Sequence, residues 1–240
     1  ENNFGTVTVV NENILETEPD ELRKSLRNVE ITPFRLEGKY SDKRHPDSVK
    51  FSEKLEDDLL RRDFTINALA YSVSKTELTD LYNGEKDIRD KVIRAVGVPD
   101  ERFAEDPLRI LRRIRFSVQI GFTIASETAE SMPKNSALIS GISVERVRDE
   151  LVKIIMSPNP MVGLVLCHKL GILQHFLAEV EEGVHVKQNG DHVYDVWEHT
   201  LRVLQHSADK NYSLEVRLAC LFHDIAKPRT KSGEGENATF

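Results

Sequence analysis

Three groups of residues in this chain have types and spacings suited to chemistry. The first is Arg61, Arg62, Asp63 and Asn67, in LRRDFTINALAY at residues 60–71. Asp63 and Asn67 are four apart, so on a helix they share one face. A carboxylate and an amide so placed can bond neighbouring sugar hydroxyls, while Arg62, just before the helix, reaches a phosphate. A helix entrance with a capping Asp and solvated arginines accounts for the same residues.

The second group is Glu105-Asp106-Pro107-Leu108-Arg109, with Arg112, Arg113 and Arg115 following. A carboxylate accepts from an exocyclic amine, and a guanidinium donates to a ring nitrogen and a carbonyl. Asp106 and Arg109 together can therefore read the Watson–Crick edge of a base. A capping Asp with an Asp–Arg pair three residues apart is the plainer account. On an ideal helix Arg113 stands almost above Asp106, which makes it the expected nearest partner, while Arg112 and Arg115 turn away. The third group is His199 with His223-Asp224 and Lys227, the two histidines being 24 residues apart. Such a set can bind a divalent metal and polarise water, although a fourth ligand is not visible. His192 is a weaker candidate.

These groups need a scaffold. Residues 5–10 and 29–34 are rich in β-branched side chains and are predicted strands, with Glu30 and Thr32 on the polar face of the second. Residues 11–28 are polar and predicted as a loop with a short helix, and residues 36–57 as a long mobile loop. Phe64, Ala68 and Tyr71 fall at helical spacing, with Asp63 as N-cap. Short strands are expected at 78–81 and 92–96 around an Asn83-Gly84 turn. From Asp106 the pattern is helical, with Pro107 in the first turn and later helices over 126–132, 143–156, 160–169, 193–208 and 213–226. Residues 179–191 read as the linker.

The net charge of −7 does not advertise a nucleic-acid binder, yet Arg109, Arg112, Arg113 and Arg115 cluster within seven residues, and local charge matters more than the total. Cys167 and Cys220 have no partner at metal or disulfide spacing, which fits a reducing, cytoplasmic setting. No apolar run approaches the roughly 20 residues of a membrane span.

LRRDFTINALAY, GEKDIRDKVIRAVGVPDERFAEDPLRILRRIRF and the His-Asp stretch, in this order, resemble bacterial class II tRNA nucleotidyltransferases. These are the CCA-adding enzymes, close relatives of bacterial poly(A) polymerases. The resemblance implies an α+β fold: a partial mixed-sheet nucleotidyltransferase head over 1–72 with a flexible loop at 36–57, a base-recognising neck over 73–125, a helical body over 126–190, and a partial HD domain over 191–240. It implies that Arg62, Asp63 and Asn67 hold phosphate and ribose, that Asp106 and Arg109 select cytosine or adenine, and that Arg112 and Arg115 surround the incoming nucleotide. The last point departs from the ideal-helix preference for Arg113. Residues 37–63 resemble the loop that this family uses in adding the terminal A.

The implied reaction is attack of a tRNA 3′ hydroxyl on CTP or ATP with Mg²⁺, and the implied partners are tRNA, CTP and ATP. The family's Gly-rich turn, and the paired-Asp motif that holds two Mg²⁺, have no match here. The chain, opening without Met, is therefore expected to begin after them, to stop inside the HD domain, and to lack transferase activity by itself. Glu30 is a weak candidate for a further catalytic carboxylate; His199, His223 and Asp224 are the candidate metal ligands of the HD site. Poly(A) polymerase activity remains an alternative, as does an HD-type metal-dependent phosphohydrolase or an RNA-binding piece.

Overall fold

The computed structural model of the chain describes residues 5–11, 27–38, 48–189, 193–233 and 239. The chain divides into two compact units, Glu1–Arg62 and Asp63–Phe240. The architecture is α+β, with two-stranded ladders early and helices through the rest.

In the first unit, β1 (Val7–Val10) and β2 (Asn28–Ile31) pair antiparallel, with Thr8 opposite Glu30. Their β-branched side chains favour the extended backbone. β3 (Arg35–Glu37) and β4 (Val49–Phe51) form a second antiparallel ladder, and α1 (Leu55–Leu60) follows. Glu56, Asp57 and Asp58 in the first turn of α1 complement the positive end of the helix. The expected loop over 36–57 is corrected at both ends, because backbone pairing between separated segments leaves no periodic trace in a charged sequence. Residues 39–47 of that loop, and 12–26 of the earlier polar stretch, lie outside the described residues.

In the second unit the helix expected after Asp63 is replaced by other structure. Thr65–Asn67 makes one 3-10 turn, and β5 (Leu69–Ser72) runs antiparallel to β6 (Glu77–Asp80). Tertiary partners decide this. The Thr65 N–H donates to the Arg94 carbonyl at 3.0 Å, its buried hydroxyl donates to Asp87 Oδ2 at 2.7 Å, and Phe64 bridges to Ala95. A short apolar run cannot by its period tell strand from helix, and these long-range bonds choose strand. Asn83 adopts a left-handed φ of 60° and α2 (Gly84–Asp90) begins at once. A Cβ on Gly84 would collide with the Thr65 carbonyl, so glycine lets α2 sit against that turn. β7 (Val92–Ile93) pairs in parallel with β8 (Thr123–Ile124).

α3 (Pro99–Glu105) and α4 (Leu108–Ile120) are separated by an extended Asp106 and a helical Pro107. The apolar stripe of α4, with Ile110, Leu111, Ile114 and Val118 buried, is the centre of the core. Around it stand α5 (Ser126–Asn135), α6 (Val144–Ile155) and α7 (Pro160–Lys169). A Cβ on Gly163 of α7 would stand 2.6 Å from Ile154 Cγ2, so this glycine sets the approach of α7 to α6. α8 (Ala178–Glu181), α9 (Val196–Asp209), α10 (Leu214–Phe222) and α11 (Lys227–Thr230) follow. Leu201, Leu204 and Leu221 carry the core into α9 and α10. Residues 179–189 are packed: Val180 is buried, and the Trp197 N–H donates to the Gly183 carbonyl at 3.1 Å. No helix among the described residues is long and apolar enough to cross a membrane.

Candidate functional site

The structure brings Asp63, Asn67 and Arg112 together. Asp63 Oδ1 accepts from the Phe64 N–H at 2.9 Å and from Asn67 Nδ2 at 3.2 Å. Its Oδ2 accepts from Arg112 Nε and Nη2 at 3.0 and 2.6 Å. The 3-10 turn thus keeps the four-residue pairing that a helix would have given, although the helix is absent. Arg112 lies one turn beyond Arg109 on α4, so both guanidinium stems leave the same side. Arg62 belongs to the first unit, where its Nη2 donates to Asp58 Oδ2 at 3.0 Å, while Arg61 Nε donates to Oδ1 at 2.9 Å. Burial alone would raise the Asp58 carboxyl; the two guanidiniums outweigh it and hold the group below the ordinary aspartate value.

Arg113, the partner expected for Asp106 from ideal helix geometry, turns inward instead. It is fully buried, with its guanidinium 5.0 Å from the Phe64 ring and 4.4 Å from that of Phe103. It donates to the carbonyls of Arg109 and Asp63, each at 3.1 Å. The projection fails because Asp106 is extended, at φ −139°, and so lies off the helix that carries Arg113. Asp106 accepts from the Leu108 N–H at 3.2 Å and from Arg146 of α6. Arg109 donates to Glu105 Oε2 at 2.9 Å. Asp106 and Arg109 thus flank the start of α4, each with a charge partner of its own. Arg115 Nε lies 3.1 Å from Glu150 Oε2 on α6, and its guanidinium stacks on Phe116. Desolvation lowers the Arg115 pKa, with Glu150 opposing. Glu30 sits on an exposed strand opposite Thr8.

A second cluster joins α9 to the end of α10. His199 Nε2 lies 3.3 Å from His223 Nε2 and 3.6 Å from Asp224 Oδ2, and His223 Nε2 lies 3.2 Å from that oxygen. Asp195 caps α9 by accepting from the Glu198 N–H at 2.7 Å, which fixes the turn that carries His199. His223 Nδ1 donates to the Cys220 carbonyl at 2.8 Å, leaving a lone pair on Nε2. Ligands about 2.1 Å from a tetrahedral ion stand roughly 3.4 Å apart, so the three donor atoms fit one divalent cation. It is the candidate set of three such donors among the described residues. Lys227 Nζ lies 2.8 Å from Asp224 Oδ2 and bonds Gln188 Oε1 at 2.7 Å. His168 pairs with Glu181, and His192 lies outside the described residues.

Sequence reasoning missed Asp58, Arg146 and Glu150. One signal was available: Glu150 occupies a core-facing position of α6 between Val147 and Ile154, and a carboxylate buried there needs a cation.

The family described as "Poly A polymerase head domain" matches residues 2–94. "Probable RNA and SrmB- binding site of polymerase A" matches 121–183, and "HD domain" matches 196–238. The chain is 49% identical over 135 residues to a CCA-adding enzyme of Lactiplantibacillus plantarum, covering 56% of this chain and 33% of that protein. It is 48% identical over 135 residues to that of Ligilactobacillus salivarius, again 56% and 33%. The chain is thus similar in three successive regions to poly(A) polymerase and HD families, and over 135 residues to CCA-adding enzymes. Among solved structures, the Bacillus stearothermophilus CCA-adding enzyme in complex with CTP matches with a TM-score of 0.62 and 31% identity, covering 76% of this chain and 41% of that one. A CCA-adding enzyme in apo form II shares the fold, with a TM-score of 0.58 at 23% identity over 84% of this chain and 53% of that one. The chain spans about a third of the length of the curated CCA-adding enzymes it matches. Nucleotidyltransferase and HD families generally use divalent metals.

Proposed function

We propose that this chain carries the nucleotide-selecting part of a template-independent RNA nucleotidyltransferase that adds CCA to the 3′ end of tRNA from CTP and ATP. The observation that carries this reading is the arrangement around α4. Asp106 and Arg109 flank its start, and Arg112 one turn on is clamped to Asp63, which also holds Asn67. Cytosine and adenine both present an exocyclic amine beside a ring nitrogen acceptor. Asp106 accepts from that amine and Arg109 donates to the ring edge. Uracil and guanine present a carbonyl where the amine would be, and it meets the carboxylate unfavourably. Asp63 and Asn67 bond the ribose hydroxyls, and Arg112 and Arg115 answer the negative triphosphate. A bound Mg²⁺ would activate the attacking tRNA hydroxyl and neutralise the leaving pyrophosphate.

The test is incorporation of labelled CTP and ATP into tRNA lacking its last three residues, by the protein that carries this chain. Two C additions followed by one A are expected. ATP incorporation in runs without CTP would instead favour the poly(A) polymerase reading.

The second cluster supports a further activity of the same protein, metal-dependent hydrolysis of a phosphomonoester or cyclic phosphodiester at the HD site. His199, His223 and Asp224 would hold a divalent cation, and Lys227 would sit beside it. His223→Ala is expected to reduce Mn²⁺ or Co²⁺ affinity at least tenfold by isothermal titration, since one of three protein ligands is lost. Equal affinity in the variant would remove His223 from the ligand set.

A further inference from the structure

Asp106, proposed above to read the base, does not stand alone. One nitrogen of Arg146, Nη2, lies 3.2 Å from Asp106 Oδ1 and 3.0 Å from Oδ2. The Leu108 N–H takes a second site on Oδ1 at 3.2 Å. A carboxylate offers about four acceptor directions. Three are engaged, so one direction on Oδ2 remains, and a base with a single exocyclic amine needs one. The two anchors come from different elements: Leu108 from the start of α4, and Arg146 from α6, forty residues on. Between them they fix both the position of the carboxylate and its rotation.

Arg146 is not the residue that packs α6. Val147, Ile154 and Ile155 do that, and Glu150, one turn on, meets Arg115 of α4. The Arg146 side chain keeps 21% of its exposure and that of Asp106 16%, so the pair stands at the edge of the core, where a base can approach.

We propose that Arg146 is a specificity-determining positioning residue: by gripping the Asp106 carboxylate from α6 it leaves one acceptor direction for the amino group of cytosine or adenine. The inference rests on the base-reading role of Asp106 given above. Without Arg146 the carboxylate keeps only the Leu108 N–H as anchor and can turn about that bond, so its charge stays while its direction loosens. Binding then weakens for the correct bases, while the penalty against uracil and guanine falls. A lysine at this place supplies the charge as a single point and restores direction only in part.

The experiment measures kcat/KM for CTP, ATP, UTP and GTP with tRNA acceptor in the protein carrying this chain. Wild type is compared with Arg146→Ala, Arg146→Gln, Arg146→Lys and Asp106→Ala, with each thermal midpoint recorded. The CTP-over-UTP preference is expected to fall about tenfold in Arg146→Ala, within the range lost when one specific base contact fails. Arg146→Gln, close in size, should lose the preference similarly with a near-native midpoint, and Arg146→Lys should recover part of it. If Asp106→Ala collapses the preference while the folded Gln variant keeps it within twofold, the role of Arg146 is overturned and the reading of Asp106 stands. If Asp106→Ala leaves the preference intact, the base-reading assignment itself fails, and this inference with it. A uniform drop for all four nucleotides, following the thermal midpoint and not rescued by lysine, would make Arg146 purely structural and also overturn the proposal.

Discussion

Replacing Arg113 with alanine is expected to cost about 3–5 kcal/mol of unfolding free energy, the range for truncating a large, fully buried side chain. Two of its contacts are not the main reason. The Asp63 carbonyl also accepts from the Val96 N–H at 3.4 Å, and the Arg109 carbonyl lies inside α4, where the backbone ladder serves it. Most of the loss comes from the cavity left behind and from the guanidinium held against Phe64 and Phe103. Burial pushes the Arg113 guanidinium down to about 9, with Asp63 opposing, so it remains cationic at neutral pH. Arg113→Met fills most of the volume without burying a charge and should recover roughly half of the loss, since volume-conserving replacements are the best tolerated. Denaturant unfolding at constant slope separates the two variants. A loss under about 1 kcal/mol in the alanine variant would contradict the packing role, because buried truncations of this size cost more. Arg113 also ties the Asp63 backbone to α4, so the methionine variant should bind nucleotide more weakly while folded.

The helical part of the chain was legible because its causes are local. Pro107 at the start of α4, the apolar stripe of Ile110, Ile114 and Val118, and the Pro160 start of α7 each predict their element within a few residues. The stretch after Asp63 was not legible, because the bonds from Thr65 to Arg94 and Asp87 lie more than twenty residues away in sequence. Asp63 and Asn67 nevertheless meet, since a 3-10 turn also brings residues four apart within hydrogen-bond reach. The His199, His223 and Asp224 set was readable from an adjacent His-Asp pair and one distant His at the ends of apolar helices. Arg146 was not. Its target depends on how α6 crosses α4, and no spacing rule connects positions forty apart. Arg113 was misplaced for a smaller reason: one extended residue before Pro107 broke the helical projection on which the expectation relied.

Asp106→Ala is expected to reduce the preference for CTP over UTP, and for ATP over GTP, by about 5- to 150-fold, the equivalent of roughly 1–3 kcal/mol per specific base contact. The effect should fall on discrimination more than on turnover with saturating CTP, because in the proposed role the carboxylate touches the base and not the reacting phosphate. Arg109→Ala should lose discrimination to a similar degree and also lower stability. Arg109 is 7% exposed, and its removal takes from Glu105 one of the two guanidiniums it pairs with, leaving Arg102. The double variant should be less impaired than the product of the two single effects, since in the proposed role both act on one base edge and contacts that work as a unit do not add. Steady-state kcat/KM for each of the four nucleotides, on tRNA lacking its last three residues, reads all three outcomes. A CTP-over-UTP ratio within twofold of wild type in Asp106→Ala would mean that the base is selected elsewhere, and that the carboxylate at the start of α4 serves only to cap the helix and anchor Arg146.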